Sequence, residues 1–236
     1  MKKILLILIL ATGNVGHAQF QKLFDKIKGN TGLSQEQIGN GLKQALDNGI
    51  KNQVTKLTAQ DGFYKNELVK ILIPDELKAV DKGLRRIGMG NLVDEGIKVL
   101  NRAAEDAVKT ATPIFVNAVK EITFNDAKNI LLGEKNAATM YLETKTQQDL
   151  YQSFMPVVEQ SFSKVEADKI WNQLISKYNT IPFVKKVNPN LTDYVTNQAL
   201  KGVFTMIAVE EDGIREKVGL RDTALLKQVF ALQDKK

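Results

Sequence analysis

The sequence has 236 residues, with 33 lysines and arginines, 27 aspartates and glutamates, one histidine and no cysteine. The absence of cysteine excludes disulfides, thiolate metal sites and thiol nucleophiles. The formal net charge is only +6, and no basic run is interleaved with aromatic residues, so we expect no nucleic-acid partner.

The first 18 residues have the pattern of a secretory signal peptide. Two lysines precede the apolar run Ile4–Ala11, and Gly16-His17-Ala18 is a small-x-small cleavage site. The run has eight residues, too few to span a bilayer, so we expect no transmembrane anchor after cleavage. The expectation is an exported protein, periplasmic or secreted, that begins near Gln19.

Cleavage at this site would also remove His17, the only histidine in the chain. Without histidine the remaining chain can form neither a Ser-His-Asp triad nor a di-iron site with Glu-x-x-His ligands. Carboxylate acid–base chemistry, a serine, threonine or lysine nucleophile, and an oxygen-ligand calcium or magnesium site stay open. We expect no cofactor and assign no catalytic or metal-binding residue.

The chain after the signal peptide is predicted to be all-α, a single-domain bundle of short and medium helices. Residues 19–33 are polar, contain glycine and are weakly patterned, which indicates a flexible lead. Residues 34–232 carry apolar residues at helical spacing in most segments and form the predicted domain. A chain of about 200 residues buries enough apolar surface to be stable without disulfides.

The first predicted helix opens with a capping box formed by Ser34 and Gln37. Gly41 and Gly49, with Ala45 between them, lie beside its apolar face. Glycines in a helix either are merely tolerated or allow a second helix to approach closely, and we favour close approach. The apolar face consists of Ile38, Leu42, Leu46, Ile50, Val54 and Leu57.

Three further helices are predicted between residues 75 and 122. The first ends at Gly88-Met89-Gly90, and the third opens with Thr112 as N-cap and Pro113 at its first position. On the second, Arg102 lies opposite the apolar face with Glu105 three residues later, and we expect a solvated ion pair. The apolar residues are Leu77, Val80, Leu84 and Ile87; Val93, Ile97, Leu100, Ala104, Ala107 and Ala111; and Ile114, Phe115, Ala118, Val119 and Ile122.

Residues 123–146 are predicted to form two short helices joined by a tight turn. Thr123 and Asp126 form a capping box, and Gly133 is expected to end the first helix in the left-handed conformation. Lys128 follows Phe124 by four residues, so its side chain points with the apolar residues rather than away from them. Lys145 stands in the same relation to Tyr141.

The remaining helices are predicted from caps and periodicity. A capping box of Thr146 and Asp149 opens a new helix, which Pro156 is expected to kink. Trp171, the only tryptophan, is expected in the core. Residues 179–190 form a proline-marked connection, a long C-terminal helix is capped near Thr192, and a short last helix follows residue 222.

Two glutamates interrupt the apolar face of the long C-terminal helix. Glu211 can pair with Arg215 at i+4, whereas Glu210 has no such partner on its own helix. Because a buried and unpaired carboxylate is costly, we expect Glu210 or Glu211 to meet Lys128 or Lys145 in the interior. The candidate buried polar cluster consists of Lys128, Tyr141, Lys145, Glu210, Glu211 and Arg215.

Six segments, in order, resemble a bacterial family whose function is unknown, domain-of-unknown-function family 4197: GLKQALDNGI, NRAAEDAV, TFNDAKNIL, AATMYLETKT, DYVTNQAL and FTMIAVEEDGIR. The resemblance spans roughly residues 35–230. It implies an exported, mostly helical, single-domain bacterial protein, and it carries no assigned catalytic residue. One departure is Leu72, where the family pattern would have proline.

The leading functional hypothesis is a non-enzymatic binding or structural protein of the cell envelope, with an unknown envelope partner or a small apolar ligand. It follows from the absence of histidine, cysteine, a phosphate-binding glycine loop and a nucleophile motif. One alternative is a carboxylate and lysine enzyme, or an oxygen-ligand metal site, around Glu210 and Glu211. The other is a carrier that holds a lipid or an apolar ligand between helices.

Overall fold

The computed structural model describes residues 33–86, 88, 90–164, 171, 175–176, 179–180, 182–183, 186 and 191–234. The predicted signal peptide, all but residue 33 of the lead, and most of the 179–190 connection lie outside these residues. The helices are α1 Gln35–Thr58, α2 Lys78–Arg86, α3 Gly90–Val108, α4 Ala111–Lys120, α5 Phe124–Leu132, α6 Ala137–Lys164, α7 Thr192–Glu216 and α8 Ala224–Phe230, with 3-10 turns at Asp75–Leu77 and Val218–Leu220.

Within the described ranges every regular element is a helix, which confirms the all-α prediction. The long helices α6 and α7 pack against each other, and α3 packs against both. On the other side, α1 contacts α4, α5, α7 and α8. The core between these helices is apolar and includes an edge-to-face pair, Phe115 and Phe204, with ring centroids 5.9 Å apart. Trp171 is only 5% exposed, as expected of a core residue.

Helix α1 begins with the predicted capping box. The Gln37 backbone N–H donates to the Ser34 hydroxyl at 3.1 Å, and the Ser34 N–H donates to the Gln37 side-chain oxygen at 2.8 Å. The predicted face of α1 is buried from Ile38 to Leu57. Local sequence therefore determines where this helix starts and which side it buries.

Gly41 and Gly49 of α1 lie at close helix contacts, as predicted. A Cβ atom on Gly41 would lie 2.6 Å from Cγ2 of Val229 in α8, and one on Gly49 would lie 3.1 Å from Cγ of Glu210 in α7. Cβ atoms essentially never approach other atoms as closely as 2.6 Å, so a larger residue here would force Val229 or α8 to shift. Gly39, on the same helix, has no atom within 4 Å of such a Cβ.

We expect the substitution Gly41→Ala to lower the free energy of unfolding by about 1–3 kcal/mol, because the added methyl group overpacks the contact with Val229. Gly39→Ala is the matched control. It should raise stability by about 0.5–1 kcal/mol, because alanine loses less conformational entropy in a helix than glycine. Urea denaturation followed by circular dichroism measures both. Equal effects of the two substitutions would contradict the close contact.

The connection after α1 is held against α3 by polar side chains. Glu105 accepts a hydrogen bond from the Phe63 backbone N–H at 3.1 Å and pairs with Arg102, which also contacts Asp61. Glu105 is only 4% exposed. The expectation of a solvated ion pair at Arg102 is therefore wrong. The pair holds the connection after α1 against α3, and the spacing of residues along α3 alone does not indicate that this connection lies there.

Two predicted helix starts differ from the structure. Helix α6 runs without a break from Ala137 to Lys164, through Pro156, although a new helix was expected at Thr146. The Thr146 side chain is buried and donates to the Leu142 carbonyl at 2.7 Å, within its own helix. Helix α4 begins at Ala111, before the expected N-cap Thr112.

Candidate functional site

The turn between α5 and α6 is the part of the chain around which the interior charges gather. The capping box at the start of α5 is present: the Asp126 N–H donates to the Thr123 hydroxyl at 3.2 Å, and the Thr123 N–H donates back to the carboxylate at 2.9 Å. Hydrogen bonds from the Thr123 hydroxyl and N–H hold the pKa of the Asp126 carboxyl below its ordinary value. Local sequence thus fixes the first end of this helix pair.

Gly133 ends α5 in a way that the sequence did not predict. Its φ is −78° and its ψ −168°, an extended conformation rather than the expected left-handed one. A Cβ atom here would lie 2.5 Å from the Asn129 carbonyl oxygen and 2.8 Å from Cβ of Ala137. Glycine is required by these close contacts with the last turn of α5 and the start of α6, and not by the handedness of the backbone.

The Glu211 carboxylate sits at the N-terminus of α6. It accepts the Ala138 N–H at 2.9 Å, and the N–H and hydroxyl of Thr139 at 2.8 Å each. The first N–H groups of a helix have no partner within the helix, and this end carries partial positive charge. A glutamate from α7 therefore caps α6 from across the fold.

Arg215, one turn later on α7, does the same for the opposite kind of helix end. Its guanidinium donates to the carbonyls of Ile130 at 2.8 Å and Leu131 at 3.2 Å, in the last turn of α5. It also pairs with Glu211 at 2.8 Å, and both side chains are less than 10% exposed. We call these two residues the Glu211–Arg215 bridge. It joins the negative end of α5 to the positive end of α6.

The C-terminal residues close over this bridge. Arg221, 1% exposed, donates to the carbonyls of Ile214 and Arg215 and makes two hydrogen bonds to Asp234. The Arg221 guanidinium holds the pKa of the Asp234 carboxyl below its ordinary value. Gln233 accepts from the Arg215 guanidinium and donates to its backbone carbonyl. The last described residues therefore cap the end of α7.

Glu210 faces α1 beside a small cavity. Its carboxylate accepts a hydrogen bond from the side-chain N–H of Gln53, which is 1% exposed and whose other amide atom, Oε1, has no hydrogen-bond partner. The cavity has a volume of about 30 Å³ and is lined by both glutamates, Arg215 and apolar residues of α1. That volume has room for about one water molecule, not for an acyl chain.

Tyr141 and Lys145 lie on the outer side of α6, along an open groove shared with α5. The Lys145 ammonium lies 5.8 Å from the centre of the Tyr141 ring, and Lys145 is exposed. Burial, and then the negative charges of Asp126 and Glu121, raise the pKa of the Tyr141 hydroxyl. We call this groove, of about 400 Å³, the α5–α6 groove; it is lined by Asp126, Asn129, Ile130, Glu134, Ala137, Met140, Tyr141, Thr144 and Lys145.

The structure thus distributes the six candidate residues over four places. Glu211 and Arg215 form the buried bridge, and Glu210 contacts Gln53. Tyr141 and Lys145 line the groove, and Lys128 is partly buried on α5. The expected partner of the glutamates was a lysine of residues 123–146. The pair of Glu211 with Arg215, which their i+4 spacing indicated, is present, whereas helix-end N–H groups and the Gln53 amide stand where a lysine was expected.

Sequence reasoning missed Gln53, Thr139 and Arg221. A polar Gln53 within the apolar face of α1 is a signal that could have been found. The backbone N–H of Thr139 gives no signal in the sequence, and Arg221 lies outside any helix. The sequence therefore could not predict the hydrogen bonds that these two residues make.

The described residues contain no group of three or more acidic or histidine side chains that could hold a metal ion. Among the helices that the structure describes, none is both long and apolar enough to cross a membrane.

A family model described as a protein of unknown function (DUF4197) matches residues 32–231, nearly the whole predicted domain. The comparisons with curated proteins and with solved structures gave no match.

Proposed function

The chain belongs to the DUF4197 family of proteins of unknown function, and from this premise we propose that it is a non-enzymatic binding protein of the bacterial cell envelope. Export rests on the signal-peptide pattern of residues 1–18. The proposed partner is an envelope protein that inserts apolar side chains into the α5–α6 groove.

One observation carries the non-enzymatic part of this proposal. The Glu211 carboxylate accepts five hydrogen bonds, from Ala138, from Thr139 twice and from Arg215 twice. A carboxylate offers about four lone-pair sites, so no acceptor is left for a substrate. Such a carboxylate is suited to joining helices and not to moving a proton to or from a substrate.

The α5–α6 groove supports the binding part. Its lining includes Met140, 56% exposed, and Tyr141, together with the charged residues Asp126, Glu134 and Lys145. A largely apolar lining with a few polar groups is typical of binding sites. Because the groove is open, it cannot enclose a small ligand on most sides, and a side chain presented by a larger partner suits it better.

A photo-crosslinking experiment tests the proposal in cells that naturally make the protein. A photoreactive amino acid replaces Met140 in one variant and Leu72, 58% exposed on another surface, in the control. We expect a crosslinked adduct of one defined mass from the Met140 position, at least about 10-fold above the Leu72 position. The introduced charge in Tyr141→Glu should remove the adduct, because a carboxylate is costly in an apolar contact.

Mass spectrometry of the purified protein completes the test. The intact mass should correspond to a chain that starts at Gln19. Equal yields of adduct from the Met140 and Leu72 positions would contradict the proposal that the partner binds in the α5–α6 groove. A lipid bound stoichiometrically would favour the carrier, and a reproducible turnover that Glu210→Gln abolishes in a folded protein would favour the enzyme.

A further inference from the structure

The last described part of the chain, residues 221–234, contains α8 and lies across the end of the bundle. We call these residues the C-terminal strap. Helix α8 has seven residues and, among the described helices, packs mainly against α1. So short a helix is not stable alone in water, so the strap keeps its structure only while it is attached to the rest of the domain.

Buried apolar side chains attach the middle of the strap. Val229 packs on Gly41 of α1, and Phe230 lines the small cavity beside Glu211 and Arg215. Both strap residues are buried. The strap is therefore one wall of the space in which the Glu211–Arg215 bridge lies.

Polar contacts attach the end of the strap, and water can reach them. Arg221 is 1% exposed, whereas the side chain of Asp234, with which it forms an ion pair, is 40% exposed. The partly buried Gln233 accepts from the Arg215 guanidinium at 2.8 Å and donates to the Arg215 backbone carbonyl at 2.9 Å. Water and salt compete with contacts of such exposure. The end of the strap is therefore the part that can detach while the core stays folded.

The Glu211–Arg215 bridge connects this end of the strap with the α5–α6 groove. The Arg215 guanidinium that binds Gln233 also donates to the carbonyl of Ile130, and Ile130 lines the groove. The carboxylate of the bridge accepts the N–H groups of Ala138 and Thr139 in the first turn of α6, the helix on the other side of the groove. A continuous set of hydrogen bonds therefore joins the strap to both sides of the groove.

We propose that the C-terminal strap regulates the α5–α6 groove. The attached strap holds both the guanidinium and the backbone carbonyl of Arg215, and Arg215 holds the last turn of α5 against the first turn of α6. When the end of the strap detaches, Arg215 loses these contacts and both sides of the groove loosen. The role of the groove as a binding site rests on the proposed function, whereas its coupling to the strap does not. Because coupling is reciprocal, a partner in the groove stabilises the attached strap.

Two aspartates of the strap allow a matched test. Asp234→Asn removes the charge that pairs with Arg221, and Asp222→Asn removes an exposed charge from the same strap as the control. Nuclear magnetic resonance of the whole chain measures hydrogen exchange at the N–H groups of Ala138 and Thr139. We expect Asp234→Asn to raise these rates at least about 5-fold more than the rates of central α3 amides, and Asp222→Asn to change neither. Equal rises in α3 and α6, which general destabilisation would produce, would overturn the proposal.

A second variant tests the route through Arg215. Gln233→Met removes both hydrogen bonds to Arg215 and leaves the ion pair of Asp234 with Arg221 in place. It should raise exchange at the start of α6 as Asp234→Asn does. Unchanged rates after Gln233→Met would overturn the coupling through the Glu211–Arg215 bridge.

Photo-crosslinking from the Met140 position measures the effect on binding. Asp234→Asn should lower the yield of the adduct at least about 5-fold, whereas Asp222→Asn should leave it unchanged. An unchanged yield in Asp234→Asn, with exchange raised, would overturn regulation of the groove. If the unaltered chain gives no adduct, the proposed function fails, and the exchange rates alone decide whether the strap and the groove are coupled.

Discussion

Replacing Arg215 by methionine is expected to lower the free energy of unfolding by about 3–5 kcal/mol. The substitution leaves the Glu211 carboxylate buried without its cation, and it leaves the carbonyls of Ile130 and Leu131 without their side-chain donor. Chemical denaturation monitored by circular dichroism measures the loss.

The double variant Glu211→Gln with Arg215→Met separates two contributions to the loss of stability: the burial of an unpaired charge, and the loss of the interactions that the bridge makes. Glutamine keeps an oxygen that can accept the N–H groups of α6 but carries no charge, so the double variant should recover about 2 kcal/mol or more relative to Arg215→Met. Lys135→Met is the exposed control. Lys135 pairs with Glu216 but is 73% exposed, and its loss should cost less than about 1 kcal/mol. If Arg215→Met cost no more than Lys135→Met, burial of the Glu211–Arg215 bridge would not explain its contribution to stability.

Replacing Phe63 by alanine is expected to cost about 3–5 kcal/mol, because it leaves a cavity under the connection between α1 and α2. Phe63 is fully buried, and a Cβ atom on Gly202 of α7 would lie only 2.5 Å from its Cε1 atom. The fully exposed Phe183 provides the control. Phe183→Ala should change stability by no more than about 0.5 kcal/mol.

A second substitution shows whether the loss comes from this contact. Gly202→Ala alone should be destabilising by about 1–3 kcal/mol, because its methyl group overlaps the Phe63 ring. In the Phe63→Ala background the same methyl group enters vacated space, so Gly202→Ala should be neutral or stabilising. Denaturation of the four chains gives the coupling between the two sites. Additive effects would contradict direct packing of Phe63 on Gly202.

Predictions from the sequence succeeded for features that are determined by residues within one short segment. The capping boxes at Ser34 and Thr123 need only two residues three apart, and both are present. The apolar face of α1 follows from its own spacing. The close contacts at Gly41 and Gly49 were also predicted, since a glycine in a strong helix pattern indicates that another element approaches there.

The sequence did not predict features that depend on a distant segment. Thr146 looks like a helix start, but burial of its side chain inside α6 outweighs its capping preference. Apart from Arg215 on its own helix, the partners of Glu211 are two backbone N–H groups and the Thr139 hydroxyl, all more than 70 residues away. The interior glutamates and the pair within one helix were therefore predictable, whereas the partners that come from distant segments were not.

The Glu211–Arg215 bridge also has a consequence for the order in which the chain folds. Its hydrogen bonds to α5 and α6 join residues 72–85 positions apart, and Arg221 and Gln233 add contacts from still later in the chain. Closing so long a loop lowers the entropy of the chain before the hydrogen bonds of the bridge form and offset that loss. Helices α5 and α6 can begin to form as soon as their own residues are synthesised, but the turn between them reaches its final geometry only when the C-terminal quarter arrives. A chain truncated before α7 would therefore keep helical segments without a fixed angle between α5 and α6.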